Sequence, residues 1–329
     1  MLVQGSICPT IWGNTGVGNC AFGLDKVSGF LITARSKGYD MSQYATEALF
    51  LAALQADAIA ALPANRLYPI FHVADVTSNT GDVSTLESAY GSIEDIALSQ
   101  IRWTVNMKDF GLKTLANMNK YTHNKDIAVW PIYMGANGND SLQTRVGLDG
   151  KNYGFDARVY TSQPSPSAGA TKSFQQFMIA FEDRDAFLSE KVEFIPTSSG
   201  VKFHQNLHGI HDVKLKIASA NTTAITVAVI DAASGAILGD LYEEALEQVT
   251  APNIAWLLNL VSTGASVPIT SCAWNSTTKL FTLSGTFTTA AHKLTLNTPT
   301  ALAAMAVPFG NGITGGFESN IVDVTPVVA

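Results

Sequence analysis

Apolar and polar positions change period twice along this chain. Val27 to Ala34 is a short β-branched and aromatic run that predicts a strand. From Asp40 the period lengthens to that of a helix. Asp40 with Gln43 makes a capping-box-like start, and Ala45, Ala48, Leu49, Ala52, Ile59 and Leu62 define one apolar face that ends before Pro63. Arg66 to Val76 is β-rich, with Pro69 marking an edge or a bulge. Thr77 to Asp95 reads as a long polar loop. A strand over Ile96–Met107, a short helix over Asp109–Tyr121 and a strand over Ile127–Met134 follow. Leu142–Leu148 and Tyr153–Thr161 flank Asp149-Gly150, a hairpin signal. Strands over Lys172–Phe181 and Lys191–Ile195 close this half, after a Pro/Ser/Gly loop at Gln163–Ala170.

From Val213 the texture is different. The runs VKLKIAS, AITVAVI, IAWLLNLV, VPITSCAW, KLFTLSGTF and HKLTLN recur with turn signals between them, the pattern of a small β-sandwich. Leu241–Gln248 reads as one short helix. The expected organisation is a flexible arm over 1–23, a β domain over 24–196 with a helical insertion at about 40–95, a linker over 197–212, and a sandwich over 213–329. The fold class is mainly β, within α+β.

Composition narrows the function. Hydrophobic residues are 47% and charged residues only 14% of the 329, against roughly a quarter charged in an ordinary soluble domain. A surface this poor in charge protects poorly against association, and one resolution is that neighbouring subunits cover it. Net charge is -7 with no Lys/Arg run, which argues against sequence-specific binding of nucleic acid by a basic face. The apolar run ALFLAALQADAIAAL is interrupted by Gln55 and Asp57, so no membrane span is expected. The N-terminal MLVQGSICPTIW lacks the basic region of a secretory signal. Three cysteines, Cys8, Cys20 and Cys272, form no C-x-x-C and no disulfide framework.

Candidate chemistry is sparse. His204, His208 and His211 stand at H-x3-H-x2-H spacing, which on a helix would put three imidazoles on one face as in a catalytic zinc site. Gly209 and Asn206 oppose that helix, no Glu stands at general-base spacing, and a polar domain junction is the plainer reading. Gly13, Gly16 and Gly18 beside Cys20 could approach a phosphate, but neither the preceding strand nor the following Gly-Lys-Ser/Thr is there. Glu182, Asp183 and Asp185 surround Arg184 in a turn-like run; Glu243, Glu244 and Glu247 fit the wet face of a helix. Trp103, Trp130, Trp256 and Trp274 fall inside predicted strands and read as core anchors; a glycan platform would need them exposed together. No catalytic, cofactor-binding or metal residue is assigned, no cofactor is expected, and the chain is not read as an enzyme.

The order strand, short helix (NMKDFGLKTLANMNKY), strand, hairpin (VGLDGKNYGFDARVYT) and closing strand with an acidic turn (FQQFMIAFEDRDAF) resembles the tube-forming domain of bacteriophage tail tube and distal tail ring proteins. The C-terminal part resembles the immunoglobulin-like domain that many such proteins carry, and the texture is similar to virion proteins of Bacteroidetes phages. The helical insertion departs from the minimal tube domain. The resemblance implies a tail-tube-like β-sandwich or barrel with flanking helices plus an Ig-like β-sandwich. It also implies a structural virion protein, assembled in the host cytoplasm, whose copies form a stacked ring, hexameric in the family, alongside other virion proteins. Edge strands would pair between neighbours, and the arm and loops would bridge rings. Alternatives from the residues are a capsid or capsid-decorating protein, a glycan-binding adhesin exposing Trp256 or Trp274, and a metalloenzyme using His204, His208 and His211.

Overall fold

The computed structural model describes residues 26–79, 84–87, 93–97, 100–107, 118–122, 124–134, 138–162, 175–184, 186, 191–198, 200–305 and 316–328. The chain forms two compact units, one of Met1–Leu54 with Ala64–Asn206, the other of Gln55–Pro63 with Leu207–Ala329. Both are built mainly of strands, as the pattern predicts.

In the first unit the strands are β1 (Lys26–Ala34), β2 (Gly38–Tyr39), β3 (Tyr68–Ile70), β4 (Val73–Ser78), β5 (Ser84–Glu87), β6 (Ile93–Ala97), β7 (Arg102–Met107), β8 (Ile127–Met134), β9 (Asp140–Val146), β10 (Asn152–Tyr153), β11 (Phe155–Thr161), β12 (Gln175–Phe181) and β13 (Val192–Pro196). Helix α1 spans Glu47–Ala58, its residues up to Leu54 in this unit, and the short helix α2 spans Phe203–Asn206. The main sheet runs β2-β10-β9-β8-β11-β12-β7-β4, with β1 on β8, β3 on β1 and β13 on β9, and it curls into a half-barrel. On one side β8 pairs with β1. On the other it is shared: Ala128 and Val129 pair with β11, and Ile132 to Met134 with β9. Pro131, which lacks a ladder donor, sits at that changeover.

The two central strands are apolar along their length because both faces are covered. A bulge between Val27 and Gly29 lets Val27 and Phe30, three residues apart, point into the same core as Ile32. That core also takes Val105 and Met107 from β7, Val129 from β8, Phe155 and Val159 from β11, and Phe177, Ile179 and Phe181 from β12. On the opposite face the Trp130 indole N–H donates to Thr33 Oγ1 at 3.0 Å. Its ring meets Tyr39 at 5.6 Å, and Tyr39 meets Phe50 of α1 at 5.8 Å.

Several sequence expectations change here. The helix is shorter than 40–62: Asp40 caps a 3-10 turn at Met41–Gln43, and α1 ends at Ala58. Its buried residues are Phe50, Leu54 and Ala58, whereas Ala45, Ala48, Leu49 and Ala52 are exposed. The helix is apolar nearly all round, so periodicity could not choose a face. The aromatic ring and Leu54, with the most area to bury, did. The stretch Thr77–Asp95 is not a plain loop, since it contains β5, and β6 ends within Ile96–Met107, which is thus not a single strand. The β-rich run 66–76 breaks at His72, whose φ of 65° lies in the left-handed region. The hairpin around Gly150 pairs β9 with β10, but β11 leaves for β8 and β12. The chain turns away at Gly154, where a Cβ would fall 2.6 Å from the Trp130 indole nitrogen. Met118 and the 3-10 turn Asn119–Tyr121 are described for the expected helix at 109–121; the rest of it, the arm at 1–23 and the loop at 163–170 lie outside the described residues.

The elements of the second unit are β14 (His211–Ala220), β15 (Ala224–Asp231), α3 (Gly239–Leu246), β16 (Val249–Thr250), β17 (Asn253–Ile254), β18 (Trp256–Leu260), β19 (Ile269–Asn275), β20 (Leu280–Gly285), β21 (His292–Leu296), α4 (Pro299–Ala303), β22 (Phe317–Ser319) and β23 (Val322–Val324). A five-stranded sheet, β19-β20-β15-β14-β22, and a three-stranded sheet, β18-β21-β23, share one core. Strand alternation supplies it: Val213 and Leu215 point in while Lys214 and Lys216 point out. Val227, Phe281 and Leu283 from one sheet meet the same core as Trp256, Leu258 and Leu294 from the other, which makes a β-sandwich.

Candidate functional site

The histidine segment does not build a metal centre of the predicted form. The helix that would align the three rings lasts only from Phe203 to Asn206, and β14 begins at His211. His204 is exposed, with its ring 6.2 Å from Phe71. His208 is held by its backbone: its N–H donates to Gln55 Oε1 at 2.8 Å and its carbonyl accepts from Gln55 Nε2 at 3.2 Å. The His211 ring lies 5.6 Å from Phe317. Among the described residues, no three His, Cys, Asp or Glu side chains gather at metal-binding distance.

The other chemical candidates are equally occupied. Cys272 is a free thiol pushed up to about 12 by burial, and so is held as the un-nucleophilic thiol. Cys20 and the glycines at 13, 16 and 18 lie outside the described residues. Trp256 is buried with its indole N–H donating to the Leu246 carbonyl at 2.6 Å, and Trp274 packs on Phe281 at 4.6 Å. The buried Trp256 presents no open ring face for a sugar, and Trp274 is half-buried. Asp183 accepts the Ala186 N–H at 3.0 Å in a local turn. Of the Glu243, Glu244 and Glu247 trio, Glu247 turns inward onto the Trp274 N–H.

Glu182 belongs to a five-membered ionic cluster that sequence spacing could not reveal. Arg158 Nε donates to Glu182 Oε1 at 2.8 Å, and Arg35 Nη2 donates to Glu182 Oε2. Arg35 Nε also lies 3.0 Å from Asp156 Oδ1, the oxygen that accepts from Arg145 Nη2 at 3.0 Å. Arg145 Nε donates to the Gly154 carbonyl at 2.9 Å. The Arg158 hydrogen bond, ahead of that from Arg35, holds the Glu182 carboxyl below its ordinary range. Each carboxylate faces two guanidiniums. The cluster therefore staples the ends of β1, β9, β11 and β12 together and leaves no acid poised for proton transfer.

What stays open is backbone. β4 ends the main sheet and has no strand on its outer side among the described residues. Among the described residues β3 pairs only with β1, and β13 only with β9. β4 and β7 are antiparallel, and in the chain between them β5 and β6 pair as a two-stranded ribbon. β5 and β6 form a sheet of their own. From Asp75 to Gln100 the ribbon carries Asp75, Asp82, Glu87, Glu94 and Asp95 and no Lys or Arg. The sequence signal that marks it is the Ser88-Ala-Tyr-Gly91 punctuation between the short runs STLE and IEDIA.

Compared with known proteins, the chain matches no family model and no curated relative. Among the described residues no helix is long and apolar enough to cross a membrane.

Proposed function

We propose that this chain is a structural subunit of a bacteriophage virion that assembles with copies of itself into a ring or tube of the tail. The observation that carries this reading is the outer edge of β4, which has no paired strand among the described residues, together with the two-stranded β5–β6 ribbon in the chain between β4 and β7. An unpaired edge on a half-barrel is a template for a neighbouring strand, and an isolated two-stranded ribbon is marginally stable in water until something packs on it. A chain with only 14% charged residues gains from having that surface covered. The occupied ionic cluster, the desolvated Cys272 thiol and the buried Trp256 favour a building part over a catalyst or a glycan binder. Electron microscopy of the purified full chain tests the reading. Rings or stacked tubes are expected; closed shells would favour the capsid alternative, and a monomer at all concentrations would end both. Removing residues 1–20 is expected to disrupt stacking of rings.

A further inference from the structure

A strand edge recruits another strand through backbone groups that point away from its own sheet. In β4 the alternation is set by Asn79, whose N–H donates to the Arg102 carbonyl at 2.8 Å. Asn79, Thr77 and Asp75 therefore turn their backbone groups toward β7, where Thr104 and Asn106 stand opposite the last two. Val76, opposite Val105, turns its N–H and C=O outward, and among the described residues neither group has a partner. Its side chain packs on the core, while Asp75 and Thr77 are exposed. The other outer edges of the main sheet are blunted. Arg35 N–H donates to the Asp126 carbonyl at 2.9 Å, which turns Leu31 and Thr33 toward β8 and leaves Phe30 and Ile32 to bond β3. Pro69, opposite Leu31, is then the outward-facing residue of β3, and it has no N–H to offer. In β13, Thr197 N–H donates to the Asp140 carbonyl at 2.8 Å and Val146 N–H to the Lys191 carbonyl at 2.9 Å. Val192, Phe194 and Pro196 therefore face outward there, and the last of them has no donor. β2, at the far end of the sheet, is two residues long.

We propose that β4 pairs with β4 of a second copy, antiparallel across a two-fold axis, with Val76 opposite the partner's Val76. The inference rests on the reading of this chain as a self-assembling subunit and narrows it: the contact is isologous, so copies join in pairs that larger closed forms must contain. Each Val76 N–H donates to the other copy's Val76 carbonyl, which closes one rung of two hydrogen bonds. Ser78, the next residue of the same parity, is already engaged, and the bulge between Val73 and Asp75 interrupts the ladder on the other side. These two limits centre the register on Val76. Asp75 then lies opposite the partner's Thr77, so the two carboxylates do not meet head on; a register centred on Asp75 would oppose them. Pairing β4 of one copy with β3 or β13 of another would instead spend an open edge on one that lacks a donor.

Amide hydrogen exchange and cross-linking of the full chain test the pairing. In dilute protein the Val76 amide is expected to exchange almost unprotected, and in concentrated protein its protection should rise about tenfold or more, the weight of one or two hydrogen bonds. Val129 in the β8 core should keep one value at both concentrations. For the register, Asp75→Cys and Thr77→Cys chains are mixed under a thiol oxidant such as oxidised glutathione. A disulfide from position 75 of one copy to position 77 of the other is expected, because opposed Cα atoms outside the hydrogen-bonded rung lie about 4.5 Å apart. Peptide mass spectrometry separates that bond from any made by Cys8, Cys20 or Cys272. Either variant alone should give about a tenth as much or less, since like positions sit diagonally, roughly 8 Å apart. The pairing is overturned if the protein associates while Val76 exchange ignores concentration, or if the mixture cross-links no faster than the single variants. Rings or tubes with either of those results would leave the assembly reading standing without this contact. The 75-to-77 bond in particles that stop at the pair would support the contact and end the ring. A chain that stays monomeric at every concentration ends both. Should a cysteine variant fail to fold, the wild-type exchange of Val76 against Val129 decides alone.

Discussion

Glu247 reaches across from the end of α3 and accepts the backbone N–H of Trp274 through Oε1 at 2.6 Å. Trp274 belongs to β19, the last strand of the five-stranded sheet, so a side chain occupies a donor that a sixth strand would have used. The second unit thus closes part of an edge with a carboxylate, whereas β4 of the first unit has no strand on its outer side among the described residues.

Removing that acceptor exposes the donor. Glu247→Ala is expected to lower the stability of the second unit by about 1–3 kcal/mol in denaturant titration, the range for an orphaned polar group. Glu247→Gln, which keeps an acceptor oxygen, should recover most of it. A larger oligomer in light scattering would accompany the alanine variant.

His292 opens β21 with no exposure, and among the described residues both its ring nitrogens lack a hydrogen-bond partner. Two unsatisfied buried polar atoms cost more than an apolar side chain in the same space. His292→Leu is therefore expected to raise the denaturation midpoint of the second unit, by about 1 kcal/mol or more. A loss of stability would show that the imidazole has an ordered partner, such as a water molecule.

Gly239 is fixed by packing. A Cβ there would meet the Trp274 ring at 2.1 Å, closer than any real contact. Gly239→Ala should cost about 1–3 kcal/mol as the indole is displaced from Phe281, and Trp274 fluorescence should report the movement.

The ionic cluster predicts an acid limb for the first unit. Glu182 is held below its ordinary range in the folded state by Arg158 and Arg35. Its stabilisation is complete above the unfolded carboxyl value near about pH 4.3 and is lost as pH falls through the lower folded value. Glu182→Gln should flatten this limb while leaving the half-barrel folded at neutral pH, as measured by circular dichroism against pH.

The ribbon can be tested without touching the core. Replacing residues 80–99 by a three-residue Gly-Asn-Gly turn keeps β4 on β7, where Asn79 N–H still donates to the Arg102 carbonyl at 2.8 Å. A folded but non-assembling protein is expected, seen as an unchanged melting curve and empty electron micrographs.

The parts of the fold legible in the sequence are those with an unambiguous period. β8 stands out as an unbroken apolar run, β1 by its Phe30-Leu31-Ile32 stretch, and β14 and β15 as clean alternation over Val213, Leu215, Val227 and Val229. Legibility fails where one pattern serves two outcomes. Helix α1 is apolar on every side, so only bulk separates Phe50 from Leu49. The ribbon strands β5 and β6 are short and polar, and pairing rather than composition makes them strands. Arg35, Arg145, Asp156, Arg158 and Glu182 are far apart in sequence and meet only through strand register. The histidine spacing is legible but misleading, because a periodicity argument needs a helix and Gly209 leads into a strand instead.

Because β5 faces β6 residue for residue, from Thr85 opposite Asp95 to Glu87 opposite Ile93, the arm cannot grow or shrink freely. A single deletion on one side would turn every following side chain over to the other face. Viable relatives should therefore differ in the length of this ribbon by matched gains on both sides, except at the slip between Ser84 and Thr85, where β6 already absorbs one unmatched residue.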